Sequence, residues 1–223
     1  MMAQPKAVLW DLDGVIVDTA PFHFAAWQAA FASRGVSFTQ EDFCRSFGQR
    51  NEFIIPHILG HEIPKSEMEE FSRKKEEDFR VRARQGLALF PGVRELLEQL
   101  RERGFRQAVA SSTPRDNINL LFPLFGIGQF FEAVISAEDV RRGKPDPEVF
   151  LLAAARLSVP ADRCVVIEDA VAGVAAAKAA GAKCLAVTNT NSREKLAKAD
   201  LVVDSLTEVF WKTMDRLISG CVD

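Results

Sequence analysis

Residues 7–20 read AVLWDLDGVIVDTA. From Ala7 to Trp10 the run is wholly apolar, the composition of a strand buried on both faces. It ends on two carboxylates one residue apart, Asp11 and Asp13, with a third, Asp18, close behind. In an extended chain alternate side chains share a side, so Asp11 and Asp13 point one way and Leu12 the other. Gly14 then permits a sharp turn and offers an exposed N–H. A buried strand that ends in paired acids is a candidate site, although a lone D-x-D also serves as a helix cap.

Working outward, five further apolar runs share this character: FRQAVASS, FEAVISAED, RCVVIEDA, AKCLAVTN and ADLVVDSL. Helical patterns separate them, at VRELLEQLRERG, Pro114 to Leu121, Pro147 to Leu157, Val171 to Ala180, Ser192 to Ala197 and Leu206 to Ile218. Strand–helix alternation predicts an α/β fold, a doubly wound parallel sheet of the Rossmann-like kind with helices on both faces. The stretch from Thr19 to Leu89 differs, being helical throughout. FHFAAWQAAFASRG sets Phe24, Trp27, Gln28 and Phe31 at helical spacing before Gly35, and SEMEEFSRKKEEDFRVRARQ offers Met68, Phe71, Phe79 and Val81 as an apolar face. We therefore expect a core domain over 1–17 and 90–223, interrupted by a small helical cap domain over 18–89. The two crossings should lie side by side, near Asp18 and near Leu87–Pro91.

The 223 residues are 48% hydrophobic and 26% charged, with a net charge of −3, giving no electrostatic reason to expect nucleic acid or an anionic membrane. No charge-free stretch of about 20 apolar residues is present, and the first residues lack the charged start of a signal peptide. Cys44, Cys164, Cys184 and Cys221 form no C-x-x-C pair. Cys164 and Cys184 sit in apolar runs and read as reduced core residues, which points to the cytoplasm.

In parallel α/β sheets, ligands bind beyond the carboxyl ends of the strands. Those ends carry Asp11 and Asp13, then Ser111, Ser112 and Thr113, then Glu168 and Asp169, while Lys144 lies in the loop GKPDP. Carboxylates, hydroxyls and one ammonium on one edge suit a phosphate with a hard cation. Mg²⁺ takes one or two carboxylates and leaves room for phosphate oxygens, Lys144 supplies a point charge, and Ser111 a donor. Each feature alone has a plainer reading as a helix cap or surface charge; their meeting at one edge carries the inference.

Four motifs, in order, resemble the haloacid dehalogenase superfamily of phosphoryl-transfer enzymes: DLDGV, VASS, GKPDPEVF and VIEDAVAGVAAAKAAGA. VDTAPFHFAAW is similar to its β-phosphoglucomutase-like branch, which includes many small-molecule phosphatases. The resemblance spans nearly the whole chain, helical insertion included. It implies Asp11 as the nucleophile that becomes an aspartyl-phosphate and Asp13 as general acid and base. Mg²⁺ would be held by Asp11, the backbone carbonyl of Asp13 and Asp169, with Glu168 acting through the metal's waters. Ser111, Ser112 and Lys144 would bind the phosphoryl group. An acid at Asp13 fits an oxygen leaving group rather than a halide. In the insertion, the resemblance points to His23, Trp27, Arg50 and Lys75 as substrate-side residues, although the spacing to Arg50 is inexact. Asp18, with Thr19, reads more simply as a cap of the next helix. His57 and His61 have helical metal spacing but lack the Glu of H-E-x-x-H, and Arg80 to Arg84 read as a solvated helix face. The expected activity is hydrolysis of a small phosphorylated metabolite such as a sugar phosphate. The alternatives are a β-phosphoglucomutase-type mutase and a non-catalytic binding or regulatory protein.

Overall fold

The computed structural model describes residues 4–220; Met1 to Ala3 of the signal-peptide reading, and Cys221, lie outside them. Six strands form one parallel sheet: β1 (Ala7–Trp10), β2 (Arg106–Ala110), β3 (Ala133–Ile135), β4 (Cys164–Glu168), β5 (Lys183–Val187) and β6 (Leu201–Val203). Their spatial order is β3-β2-β1-β4-β5-β6. The chain thus builds outward on one side of β1 and then returns to build on the other. The carboxyl end of β1 is the switch point of the sheet, where such folds form a crevice.

Each face of the sheet is covered by helices. Val8 and Trp10 pack into a core with Leu96, Leu97 and Leu100 of α5 (Val93–Glu102), and Ala7 and Leu9 into another with Phe150 and Ala153 of α7 (Glu148–Arg156). This two-sided burial is why the strands read as unbroken apolar runs. The second core also takes Ala176 and Ala177 of the Ala-rich α8 (Val171–Ala179). The one buried polar pair inside β1 and β2 is satisfied: Trp10 Nε1 donates to Gln107 Oε1 at 3.1 Å, and Gln107 Nε2 to the Leu97 carbonyl at 3.0 Å.

Between β1 and α5 lie four helices, α1 (Ala20–Ala32), α2 (Gln40–Ser46), α3 (Asn51–Leu59) and α4 (Lys65–Ala83). They enclose their own aromatic core of Trp27, Phe31, Phe38, Phe43 and Phe71 with Ile54 and Ile55. The two crossings are hydrogen-bonded neighbours, as expected. Asp18 N–H donates to the Ala88 carbonyl at 3.1 Å and Phe90 N–H to that of Ile16 at 3.0 Å, with an antiparallel bridge between Val17 and Leu89.

Three local expectations fail. Val81 is 58% exposed, because the buried stripe of α4 runs through Phe71, Lys75, Phe79 and Ala83. Ser192–Ala197 forms consecutive turns rather than a helix; one buried residue, Leu196, anchors it, and so short a segment lacks the length that offsets helix nucleation. The last segment divides, a single 3₁₀ turn at Leu206–Glu208 preceding α9 (Trp211–Ser219), because the Ser205 side chain accepts from Thr207 N–H and starts its own turn. The remaining helix, α6 (Arg115–Phe125), follows β2. No helix of the described residues is long and apolar enough to cross a membrane. Cys164 and Cys184 are buried free thiols, and burial raises the Cys164 thiol to about 12.

Candidate active site

The loop after β1 is tight. Ile16 N–H returns to the Leu12 carbonyl at 2.9 Å and Gly14 N–H donates to the Val17 carbonyl at 3.0 Å, with Gly14 at φ +82°. A side chain at Gly14 is excluded twice over, since a Cβ there would lie 2.0 Å from Asp169 Oδ2. Leu12 turns into the core while Asp11 and Asp13 open onto one cavity, as alternation requires. Ser111, Ser112 and Thr113 from the end of β2, Lys144 and Glu168 line the same cavity. The insertion contributes the opposite wall, including His23, Trp27, Asn51, Lys75 and Glu76.

At the sheet end, Lys144 Nζ donates to Asp11 Oδ1 and to Glu168 Oε1, both at 2.6 Å. Glu168 Oε2 accepts the N–H groups of Asp169 and Ala170, each at 2.9 Å. This explains a small residue one turn into α8: a Cβ on Gly173 would stand 1.7 Å from Glu168 Oε1. Asp169 is held by the Thr190 hydroxyl, and its backbone carbonyl accepts from Asn191 Nδ2 at 3.0 Å. Burial pushes the Asp11 carboxyl up to about 7; Lys144 opposes that shift, while the nearby Glu168 and Asp13 carboxylates add to it. Asp169 is raised well above the usual range by burial and by the charges of Glu168 and Asp11. Burial alone would lower Lys144, but Asp11 and Glu168 outweigh it and raise it.

Three acids thus share one ammonium. Asp11, Glu168 and Asp169 can each offer an oxygen within 4.8 Å of the others. An excess of buried negative charge is the environment a divalent cation relieves, and an all-oxygen set suits Mg²⁺. Glu168 has both oxygens engaged, whereas Asp11 Oδ2 and Asp169 Oδ1 make no hydrogen bond among the described residues. Those two oxygens are free to take a cation.

Asp13 sits differently. Thr19 Oγ1 donates to its Oδ1 at 2.6 Å, the Thr113 hydroxyl donates to its Oδ2, and His23 Nε2 stands 3.6 Å from Oδ1. Burial works to raise this carboxyl, but His23, Thr113 and Thr19 together hold it at about 2. His23 stacks on Phe79 with ring centroids 3.8 Å apart, and its Nδ1 meets Lys75 Nζ at 2.8 Å. The other ring nitrogen, Nε2, is the one that faces Asp13.

The readings of the insertion residues divide accordingly. His23 and Lys75 reach the site. Trp27 lines the cavity wall but is chiefly core, its ring lying under Lys75 Nζ at 4.6 Å. Arg50 does not line this cavity; it pairs with Glu52 at 3.1 Å, reaches the Arg141 carbonyl at 3.4 Å and packs over Gly143. It opens instead onto a neighbouring recess with Arg73 and Arg80. Thr19 precedes α1 but caps nothing with its side chain, because its hydroxyl is spent on Asp13; among the described residues Asp18 makes no capping bond either. Nor do Ser111–Thr113 or Glu168–Asp169 lie at the cap positions of the following helices, which are Pro114 and Ala170. Gly60, left-handed, ends α3 between His57 and His61, so the two do not share a helix face. Arg80 is more than a solvated charge, donating to Asn117 Oδ1 at 3.0 Å.

Four residues escaped the sequence reading: Glu76, Asn117, Thr190 and Asn191. The last two were findable, since the polar run after β5 lies at the same sheet edge. The Asn117 and Glu76 signals were weaker, one side chain lying inside a helix and the other inside a charge run.

This set of acids and one lysine beyond the switch point of a parallel sheet, under a helical insertion, defines a phosphoryl-transfer architecture, and the chain belongs to the haloacid dehalogenase-like hydrolase family, whose model matches residues 5–181. It is 34% identical over 213 residues to the validoxylamine A 7'-phosphate phosphatase of Streptomyces hygroscopicus subsp. limoneus, covering 92% of this chain and 96% of that protein. It is likewise 34% identical over 211 residues to the β-phosphoglucomutase of Bacillus subtilis, covering 92% and 91%. Among solved structures, β-phosphoglucomutase from Clostridium difficile matches with a TM-score of 0.89 at 26% identity, over 97% of this chain and 98% of that one.

Proposed function

We propose that the chain is a Mg²⁺-dependent phosphatase that hydrolyses a small phosphomonoester such as a sugar phosphate through an aspartyl-phosphate. The observation that carries this is the opposite treatment of two neighbouring acids. Asp11 lies against Lys144 with one oxygen open to the cavity, while Asp13 is gripped from the insertion side by Thr19 and His23. Divergent environments for two carboxyls are the mark of divided labour.

In this reading Asp11 attacks phosphorus, and Lys144, Ser111 and Ser112 hold the phosphoryl oxygens. The ion pair with Lys144 opposes the rise that burial imposes on Asp11 and favours the ionised form needed for attack. Asp13 must first take up a proton, which loosening of its contacts with His23 and Thr19 would favour; it then protonates the departing substrate oxygen and recovers that proton from the water that attacks the aspartyl-phosphate, regenerating Asp11 and releasing phosphate. The open oxygens of Asp11 and Asp169, with the backbone carbonyl of Asp13, would hold Mg²⁺, whose positive charge offsets that of the acids and of the phosphate; Glu168 would act from behind through waters. Residues 18–89 act as a cap whose wall of His23, Trp27 and Lys75 limits the substrate to a small molecule and keeps bulk water from the phosphoenzyme. The 34% identity to the validoxylamine A 7'-phosphate phosphatase supports this choice.

The equal identity to a β-phosphoglucomutase, together with the His23–Lys75 contact at Asp13, favours a mutase as second reading. Arg50, lying outside the main cavity, favours the phosphatase. Phosphate release from a panel of phosphomonoesters, with and without Mg²⁺ and with Asp11→Asn as control, tests both. Mg²⁺-dependent release lost by at least about 10⁴-fold in Asp11→Asn is expected. No release together with isomerisation of a sugar phosphate would replace hydrolysis by mutase chemistry, and full activity in Asp11→Asn would sink the mechanism.

A further inference from the structure

Glu76 is the buried charge in the cavity that the proposed reaction leaves unused. It is only 5% exposed, yet it lines the cavity that holds Asp11 and Lys144 and also the neighbouring recess. Its Oε1 accepts from Lys75 Nζ and from Asn51 Nδ2, both at 2.9 Å, and its Oε2 accepts from Asn117 Nδ2 at 2.7 Å. The donors are themselves pinned: Lys75 on His23 at 2.8 Å, and Asn117 by Arg80 at 3.0 Å. A carboxylate has about four acceptor positions. Three are filled, so one on Oε2 remains for a hydroxyl donor.

Acids outnumber cations around this carboxylate at both openings. Lys75 is already shared between Glu76 and His23. In the neighbouring recess Arg50 is paired with Glu52 and Arg73 with Glu77, while Arg80 donates to the neutral Asn117 amide and keeps its charge. Glu69, Asp116 and Glu138 add further acids to that lining. Beyond the phosphate end, then, the walls offer a hydrogen-bond acceptor and net negative charge, with aromatic and amide groups between.

We propose that Glu76 sets substrate choice, admitting phosphomonoesters whose remainder is uncharged and hydroxyl-bearing and excluding those with a second phosphate or a carboxylate. This deepens the phosphatase reading above and rests on it. A like charge roughly 6 Å away at an effective dielectric of about 20 weakens binding on the order of 100-fold; Lys75 offsets part of the Glu76 charge, and Glu69, Asp116 and Glu138 add to it. A polyol loses nothing of the kind and gains the open acceptor.

The test uses matched pairs that differ in distal charge: glucose 6-phosphate against 6-phosphogluconate, and glucose 1-phosphate against glucose 1,6-bisphosphate. In the wild-type enzyme with Mg²⁺, kcat/KM for the uncharged member is expected to exceed that for its partner by on the order of 100-fold. Glu76→Gln should compress the ratio to within about 10-fold. Because glutamine presents a donor to Asn117 or Lys75 and risks local misfolding, a second variant, Asn51→Lys, keeps Glu76 and offsets its charge; it should compress the ratio as well. Calorimetric titration of both members into Asp11→Asn gives the same comparison without turnover, so absence of catalysis would count against the phosphatase reading while binding still decides the gate. Equal or reversed preference in the wild type would overturn the proposal and direct attention to Arg50 and Arg80 as an anion site. A ratio unchanged in both variants, or no binding of either member, would overturn it too.

Discussion

Gly173→Ala is a substitution whose sign helix propensity predicts wrongly. Gly173 lies inside α8 with ordinary helical backbone, where alanine is favoured over glycine by about 1 kcal/mol. The added methyl, however, would sit 1.7 Å from Glu168 Oε1 and 1.9 Å from its Cδ. An ordinary carbon–oxygen contact needs about 3.3 Å, so the carboxylate must retreat by roughly 1.6 Å. It is not free to do so, because its oxygens hold Lys144 at 2.6 Å and two backbone N–H groups at 2.9 Å. A retreat of that size breaks at least two of these bonds. Each hydrogen bond to a charged group is worth about 1.5–3 kcal/mol, so two cost about 3–6 kcal/mol. After the propensity gain, a net loss of about 2–5 kcal/mol remains.

Urea unfolding of the metal-free protein, followed by circular dichroism, measures this loss directly. Gly86→Ala is the control: its Cβ meets nothing nearer than Phe22 Cζ at 3.8 Å, and stability within about 1 kcal/mol of wild type is expected. In a double-mutant cycle, Gly173→Ala placed on Glu168→Ala should be neutral or stabilising, since the obstructing carboxylate is gone. Gly173→Ala as stable as the wild type, or destabilising by the same amount on both backgrounds, would refute the account of how Glu168 is held.

Two further outcomes follow from the same contacts. Thr19→Val removes the hydroxyl that donates to Asp13 Oδ1 but keeps the buried shape; kcat should fall several-fold with KM little changed, and the alkaline limb of the kcat/KM–pH profile should move to higher pH, because a donor that favoured the ionised form is lost and Asp13, the acid of that step, keeps its proton to higher pH. Glu76 is lowered from its ordinary 4.5 to about 2, burial being outweighed by Lys75, His23 and Asn51. A carboxyl depressed on folding contributes stability that is whole above about pH 4.5 and lost as pH falls towards 2, here up to about 3 kcal/mol. Urea titrations at pH 7, 5 and 3 should therefore show the gap between wild type and Glu76→Gln closing at the acid end; a gap constant with pH would contradict this.

What the sequence disclosed and what it withheld have a common physical basis. The six strands were legible because burial on both faces leaves an apolar run, and the polar residue that ends each run marks the sheet edge. Asp11, Asp13, Ser111, Lys144 and Asp169 were legible for the same reason, each lying where topology alone says ligands gather. Residues whose role depends on how the helical insertion meets the sheet were not. Lys75 came only from the family resemblance and Glu76 not at all: both stand inside RKKEEDFR, where composition predicts a solvated face, and contacts with His23 and with Asn117 of α6 turn them inward. Thr19 had the position of a helix cap, and only the return of the loop to Asp13 redirects its hydroxyl. Arg50 depended on where α3 begins, which propensity places within a residue or two at best. The Ser192–Ala197 pattern was genuine amphipathicity in a segment too short to use it.

The division between Asp11 and Asp13 therefore goes deeper than their spacing. Asp11 belongs to the sheet: its partners are Lys144, from the loop before α7, and the β4 acids, all fixed by the doubly buried core. Asp13 belongs half to the insertion, since Thr19 and His23 come from the entry to α1 and only Thr113 from the sheet side. A displacement of α1 acts on Asp13 first, removing two of its three partners and letting burial raise its carboxyl, while Asp11 and Lys144 stay in register. Two aspartates one residue apart on the chain are in this way placed under separate structural control, one fixed by the sheet core and one dependent on the insertion, the arrangement that the proposed division between nucleophile and acid–base requires.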